Sequence, residues 1–276
     1  MVIIAENINE NARWDSFISF ALKKKQGERY FHDAETQALF KILLSTAKER
    51  INTISKGQHY WRAQLGCDYE PACDFDGQII DYNVIPYKTK QMKPLSDKAS
   101  EGRINPKGIP CLYLASNEKT SISEVRPWVG SYVTVVQFEI IKELQIIDCS
   151  CGDINPINIT VVDLDKLWKL KQPSEEEAIT TIWRWIDKEF SEPIDRNDNT
   201  ADYIPTQIIA ELFKTNGFDG IKYKSLFNNG ENLALFDINN AEQVNDGKVF
   251  QVTKVIVDYE QKKPFIFEKK GKSCIK

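Results

Sequence analysis

The sequence predicts an α+β protein in which a mixed or antiparallel β-sheet is flanked by helices and preceded by a short helical extension. Three observations carry that prediction. Apolar residues recur at helical spacing through the first part of the chain. Beyond them, short runs rich in Val, Ile, Tyr and Phe are separated by turn residues, as strands are. Two later stretches return to helical spacing with their own start and stop signals, so both element types contribute to one core.

From Asn9 to about Lys25 the residues Trp14, Phe17, Ile18, Ala21 and Leu22 fall on one helical face. After Asp33 a second face carries Leu39, Phe40, Leu43, Leu44 and Ala47. A two-helix unit this short is marginal by itself, so its apolar stripes are expected to dock on the rest of the chain, in preference to a partner or another copy. The division falls near Ser55-Lys56-Gly57, which gives a helical extension over 1–55 and a main domain over 56–276.

In the main domain "HYWRAQL", "CLYLAS", "YVTVVQFEI", "LQIIDC", "FDGIKYKS", "NLALFD" and "VFQVTKVIVDY" read as strands. The polar segment from Cys67 to Pro110 is too long for a plain connector and reads as a lid or binding loop. "SEEEAITTIWRWIDKEF" opens on a capping box from Ser174 to Glu177; "PTQIIAELFKTNG" has Pro205 in its first turn and stops at Gly217. Trp183 and Trp185 read as packing surface against the sheet, and "FDINNAEQVNDGK" as a turn-rich connector.

With 276 residues, 42% of them apolar and 28% charged, the chain can bury a substantial core and is too apolar to be disordered. No run approaches the roughly 18–20 apolar residues of a membrane span, and "MVIIAENINE" lacks a basic start followed by a long apolar stretch, so a cytoplasmic protein is expected. A net charge of −4 argues against nucleic-acid binding through a general basic surface. The lysines of "ALKKKQ" and "FEKKGKSCIK" read as solvated ends. Cys67, Cys73, Cys111, Cys149, Cys151 and Cys274 form no CxxC pair, and only His32 and His59 would supplement them; reduced thiols and no metal are expected.

Alternation along "HYWRAQL" places Tyr60, Arg62 and Gln64 on one face. An arginine amid such a strand is costly to bury unless its guanidinium is paired; on its own, an edge-strand arginine reaching water is the commoner arrangement. Further on, "RINPKGIPCLYLASNEKTSISEVRP" strings Arg103, Tyr113 and Glu124 along one loop, strand and helix. The order "YWRA", "GRINPKGIPCLYLA", a helix ending "SEVRP", and "GFDGIKYKS" with "NLALF" after it resembles the RES domain family, from about Gln58 to Asp237.

That resemblance implies an ADP-ribosyltransferase-like mixed β-sheet core with flanking helices, and NAD as substrate, since members acting as toxins of toxin–antitoxin pairs consume it. Carried over by motif, the family's arginine falls on Arg62, its tyrosine on Tyr113, its glutamate on Glu124 and its serine on Ser225, with Arg103 as a second basic residue. Gln64 and Leu226 stand where many relatives have a second arginine and a second serine. Chemically, an arginine fork suits a pyrophosphate, a tyrosine ring suits the cationic nicotinamide, and a carboxylate suits an oxocarbenium-like transition state. Ser225 would hold a ribose or phosphate oxygen. Nicotinamide leaves neutral, so no general acid is needed.

The implied activity is cleavage of the nicotinamide–ribose bond, with water, phosphate or a protein side chain as acceptor. A binding module that has lost catalysis is the alternative. Implied partners are NAD and a protein antitoxin, with a homo-oligomer left open; neither membrane nor nucleic acid is expected.

Overall fold

The structure is a computed structural model that describes residues 13–27, 29–95, 98–151, 174–192, 200–227, 229–259 and 261. Helix α1 spans Ser16–Gln26 and stops at Gly27, whose φ of 137° a side chain would resist. Helix α2 spans Ala34–Ala47 and begins where the sequence marks it: the Asp33 carboxylate accepts from the Thr36 amide at 2.8 Å. The expected start of the first helix, at Asn9, lies outside the described residues.

Eleven strands follow among the described residues: β1 (Ile51–Ile54), β2 (His59–Leu65), β3 (Asp68–Cys73), β4 (Ile79–Ile85), β5 (Leu112–Ala115), β6 (Tyr132–Ile140), β7 (Leu144–Asp148), β8 (Gly220–Lys224), β9 (Glu231–Leu235), β10 (Ala241–Gln243) and β11 (Lys248–Gln251). Helix α3 (Glu118–Glu124) lies between β5 and β6, and helices α4 (Glu175–Ser191) and α5 (Ile204–Thr215) between β7 and β8. The capping box is present, with the Ser174 hydroxyl accepting from Glu177 N and the Glu177 carboxylate from Ser174 N.

Nine strands form one sheet in the order β1-β7-β8-β9-β5-β2-β6-β10, with β11 sharing the outer edge of β6. Only β7 and β8 run parallel, which is why a long helical crossover separates them in the chain. The sheet is therefore mixed, and the fold is α+β with helices flanking a large mixed sheet, as the sequence predicts.

Alternation assigns the two faces. Leu112, Leu114, Val136, Phe138, Ile146, Leu233 and Leu235 pack in one cluster, while their strand neighbours Ile147, Ile221, Tyr223 and Ala234 face the helices. On the helical side Phe17, Phe20, Leu39 and Leu43 of α1 and α2 join Trp183, Ile186, Phe190 and Phe213 of α4 and α5. The N-terminal helices thus dock on their own chain. Trp183 stacks parallel on Phe213 with 6.1 Å between ring centres and donates its indole N–H to the Thr46 hydroxyl at 3.0 Å, which makes it packing surface. A separate cluster on the helical side gathers Ala63, Val133 and Val135 under Ile122 and Val125 of the α3 region. Between the two clusters the sheet face is open.

The sequence reading misses β1, which pairs along its length with β7, and β10. It overextends the last strand: β11 ends at Gln251, and Ile256 and Val257 beyond it are exposed. The Cys67–Pro110 segment is not all loop. It folds back as an isolated β3–β4 ribbon, in which Tyr69 faces Val84 and Pro71 faces Tyr82 on one side, and Glu70 faces Asn83 and Ala72 faces Asp81 on the other. The first side is apolar yet open to water, with Tyr69 and Tyr82 both more than half exposed. Among the described residues no helix is long and apolar enough to cross a membrane, and no cluster of His, Cys, Asp and Glu would hold a metal ion.

Candidate active site

The open face lies over a parting in the sheet. Strands β2 and β5 are neighbours, but their register holds only at Trp61–Ala115. Arg62 bridges the gap, its Nη1 donating to the Tyr113 carbonyl oxygen at 3.0 Å in place of the ladder the strands do not share. This corrects the edge-strand alternative: β2 is interior to the sheet, between β5 and β6. Its Nε is buried without a hydrogen-bond partner. Burial pulls the Arg62 pKa below the usual guanidinium range, yet an arginine stays protonated in any accessible pH range.

A cleft of ≈ 300 Å³ opens there, and Arg62, Arg103, Tyr113 and Glu124 all line it. Arg103 is delivered by the loop before β5, which two helices hold. Its Nη1 donates to the Glu189 carbonyl of α4 at 2.7 Å, while its own carbonyl accepts from the Thr206 hydroxyl of α5 at 2.7 Å. The Gln207 amide donates to the Gly102 and Asn105 carbonyls at 2.9 and 3.1 Å. Gly102 is required here, since a Cβ at that position would sit 2.6 Å from the Tyr113 hydroxyl.

That hydroxyl is fully engaged. It donates to the Asn105 side-chain oxygen at 2.7 Å and accepts from the Ile104 amide at 3.0 Å, so only the ring of Tyr113 is left for a ligand. Burial raises the Tyr113 phenol well above its ordinary pKa, and that of Tyr223, also in the lining, in the same direction. Both are neutral near pH 7 and neither is a base.

Glu124 ends α3 and is held from behind. The Ser225 hydroxyl and the Asn232 amide each donate to its Oε1 at 2.6 Å, and Oε2 receives neither bond. Ser225 is buried, is not among the residues that line the cleft, and reaches the site through its hydrogen bond to Glu124. Two charge-assisted bonds on one oxygen fix the carboxylate's direction.

Arg126, Tyr203, Tyr223 and Asn232 are among the lining residues that the sequence reading does not name as members of the site. Arg126, two residues after Glu124, takes φ 46° just past the C-cap of α3, a left-handed conformation that costs a side-chain-bearing residue about 1–3 kcal/mol. Its guanidinium lies 5.1 Å from the Phe227 ring centre. Asn232 is the polar residue that opens "NLALF", and it is buried with its amide on Glu124. Among the described residues the lining carries three arginines and one carboxylate, in a chain of net negative charge.

A family model described as the RES domain matches residues 80–258, a stretch that contains Arg103, Tyr113, Glu124 and Ser225 and begins after Arg62. No curated protein matches the chain. Among solved structures the chain is similar to the M. tuberculosis MbcT–MbcA toxin–antitoxin complex, at 13% identity and a TM-score of 0.36, over 77% of this chain and 93% of that one. With well over half of its length matched by the family model, the chain belongs to the RES domain family.

Proposed function

We propose that this protein cleaves the nicotinamide–ribose bond of NAD and acts as a toxin restrained by a protein antitoxin. The observation that carries the reading is the convergence on one cleft of three arginines, an aromatic ring and a single carboxylate braced by two donors. Arg62 and Arg103 supply donors for a pyrophosphate, as forked guanidinium groups do. Tyr113, its hydroxyl immobilised, offers a ring to the cationic nicotinamide. Breaking the glycosidic bond builds positive charge on the ribose; Oε2 of Glu124 is the free carboxylate oxygen to meet it, while Oε1 stays on Ser225 and Asn232. Bond electrons leave with nicotinamide, which departs neutral, so the reaction needs no second carboxylate as a general acid. An enzyme of this kind depletes its own host, which is why a restraining partner belongs to the reading.

The test is incubation of purified protein with NAD, with and without inorganic phosphate, and chromatographic separation of ADP-ribose, its phosphorylated form and modified protein. Glu124→Gln should abolish most turnover, a fall of about 10²–10³. The amide oxygen of glutamine still accepts from Ser225 and Asn232, so the fold should be retained. Undiminished NAD consumption by this variant removes Glu124 from the mechanism.

A further inference from the structure

The β3–β4 ribbon leaves much apolar surface in water. Tyr69, Phe75, Ile79, Ile80 and Tyr82 are each more than half exposed, and a patch of this kind on one short arm marks a docking surface. A two-stranded ribbon is also marginal in water without something packed on it. The arm has a second property. It carries Asp68, Glu70, Asp74, Asp76 and Asp81 and no Lys or Arg, a charge of −5, and among the described residues none of these carboxylates takes part in an ion pair.

One stretch of the same chain has the complementary character. "KKPFIFEKKGKSCIK", residues 262–276, sets six lysines against one glutamate, a charge of +5, around Phe265, Ile266 and Phe267. It lies outside the described residues, but the chain sets out toward it from a defined place. β2 ends at Leu65 and β11 at Gln251, on either side of the same end of β6. There the Gly66 amide donates to the Tyr132 carbonyl at 2.7 Å and the Val252 amide to the Ser131 carbonyl at 2.9 Å, and β11 touches β4. The ribbon and the chain beyond Val252 thus leave the sheet side by side. Extended, the chain from Val252 to Phe265 reaches up to about 43 Å, against about 23 Å for the seven residues of β4.

We infer that residues 262–276 dock on the ribbon of their own chain, with Phe265, Ile266 and Phe267 against its apolar side and the lysines beside its carboxylates. A second copy is the rival occupant. The tether favours the chain's own segment, because it holds that segment at an effective concentration in the millimolar range, above what a second molecule in dilute solution supplies. The inference is independent of the function proposed above.

The test is carbodiimide cross-linking of the full-length protein, which joins a lysine to a carboxylate only where they touch, on an equal mixture of isotopically light and heavy chains. Peptide mapping should find lysines of 262–276 joined to ribbon carboxylates, each product within one isotope. Full-length protein with Phe265→Ser and Phe267→Ser should lose at least about tenfold of that yield and exchange its amide hydrogens over residues 79–85 at least about tenfold faster, with an unchanged melting temperature. Tyr69→Ser with Tyr82→Ser, at exposed positions, should lower the cross-link yield in the same way. Mixed light–heavy products identify a second copy and overturn docking within the chain. Products spread over carboxylates outside the ribbon, or equal yield and equal exchange in wild-type and serine proteins, overturn the docking surface itself.

Discussion

Replacing Asn232 by Asp probes the support of Glu124 with almost no change of shape. The Asn232 amide nitrogen lies 2.6 Å from Oε1 of Glu124; in the variant a carboxylate oxygen takes its place. At an effective dielectric constant near 20, two unit charges at that separation repel by roughly 6 kcal/mol. The pair has a cheaper course, which is to bind one proton between them. Holding a proton at pH 7 on a carboxyl of ordinary pKa near 4 costs about 4 kcal/mol, so that figure and not the Coulomb energy caps the loss.

The direction of the pH dependence follows. Above pH 5 the unfolded variant carries no proton on either carboxyl whereas the folded pair binds one, so stability falls as pH rises, by about 1.4 kcal/mol per unit. Urea unfolding of wild type, Asn232→Asp and Asn232→Ala at pH 5, 6 and 7 provides the assay. The gap between wild type and the aspartate variant should widen by roughly 2.7 kcal/mol from pH 5 to pH 7, while the alanine variant shows a constant gap from the lost hydrogen bond. An aspartate gap that does not change with pH would refute the placement of Asn232 against the Glu124 carboxylate.

Arg62→Ala should weaken NAD binding by about 1.5–3 kcal/mol in the Glu124→Gln background, with lysine rescuing only part of it; unchanged affinity by calorimetry contradicts the role given to Arg62. Because burial raises both Tyr113 and Tyr223, their stabilisation is complete below the ordinary phenol pKa of about 10 and is lost above it. Unfolding free energy should therefore drop between pH 9.5 and 11, and a Tyr113→Phe, Tyr223→Phe protein should show a shallower drop; equal slopes count against their burial as neutral phenols. Deleting residues 1–55 should give insoluble or unfolded protein even with Glu124→Gln present. Phe17, Phe20, Leu39, Ile42 and Leu43 are buried, and at about 2 kcal/mol each their loss comes to roughly 10 kcal/mol, comparable with the whole stability of a typical domain. A soluble, cooperatively folding truncation would show that the helices are dispensable to the core.

Strands β2 and β6 are legible in the sequence because each carries aromatic and apolar residues at strand alternation, and α4 because its capping box is local chemistry. The β3–β4 ribbon hides for the opposite reason. Seven of the eighteen residues from 68 to 85 are acidic or amide-bearing and Pro71 interrupts the first strand, so it has the composition of a loop although its register is that of a hairpin. Arg62, Arg103, Tyr113 and Glu124 are named by their place in the family's motif order, but their convergence depends on the single-pair contact of β2 with β5, a pairing between strands distant in the chain. The same limit accounts for Asn232, which opens the motif "NLALF" without being named for the site and which reaches Glu124 only once β9 is in the sheet. The hydrogen bond from Ser225 to Glu124 depends on the direction in which the chain leaves β8, which alternation does not specify.

The β3–β4 ribbon also governs how these molecules meet one another. Between residues 68 and 85 it carries Asp68, Glu70, Asp74, Asp76 and Asp81 and not one Lys or Arg, beside an apolar side that includes Tyr69, Tyr82 and Val84. Each strand has a free edge able to template another strand, and the apolar side would reward such pairing. Two ribbons approaching edge to edge would bring both sets of carboxylates together, a repulsion that opposes such pairing as a gatekeeper does. It is also screened over about 10 Å at 0.1 M salt and about 3 Å at 1 M. The colloidal consequence is that concentrated salt, by removing the gatekeeper while strengthening apolar contact, turns the same arm from a spacer into an adhesive.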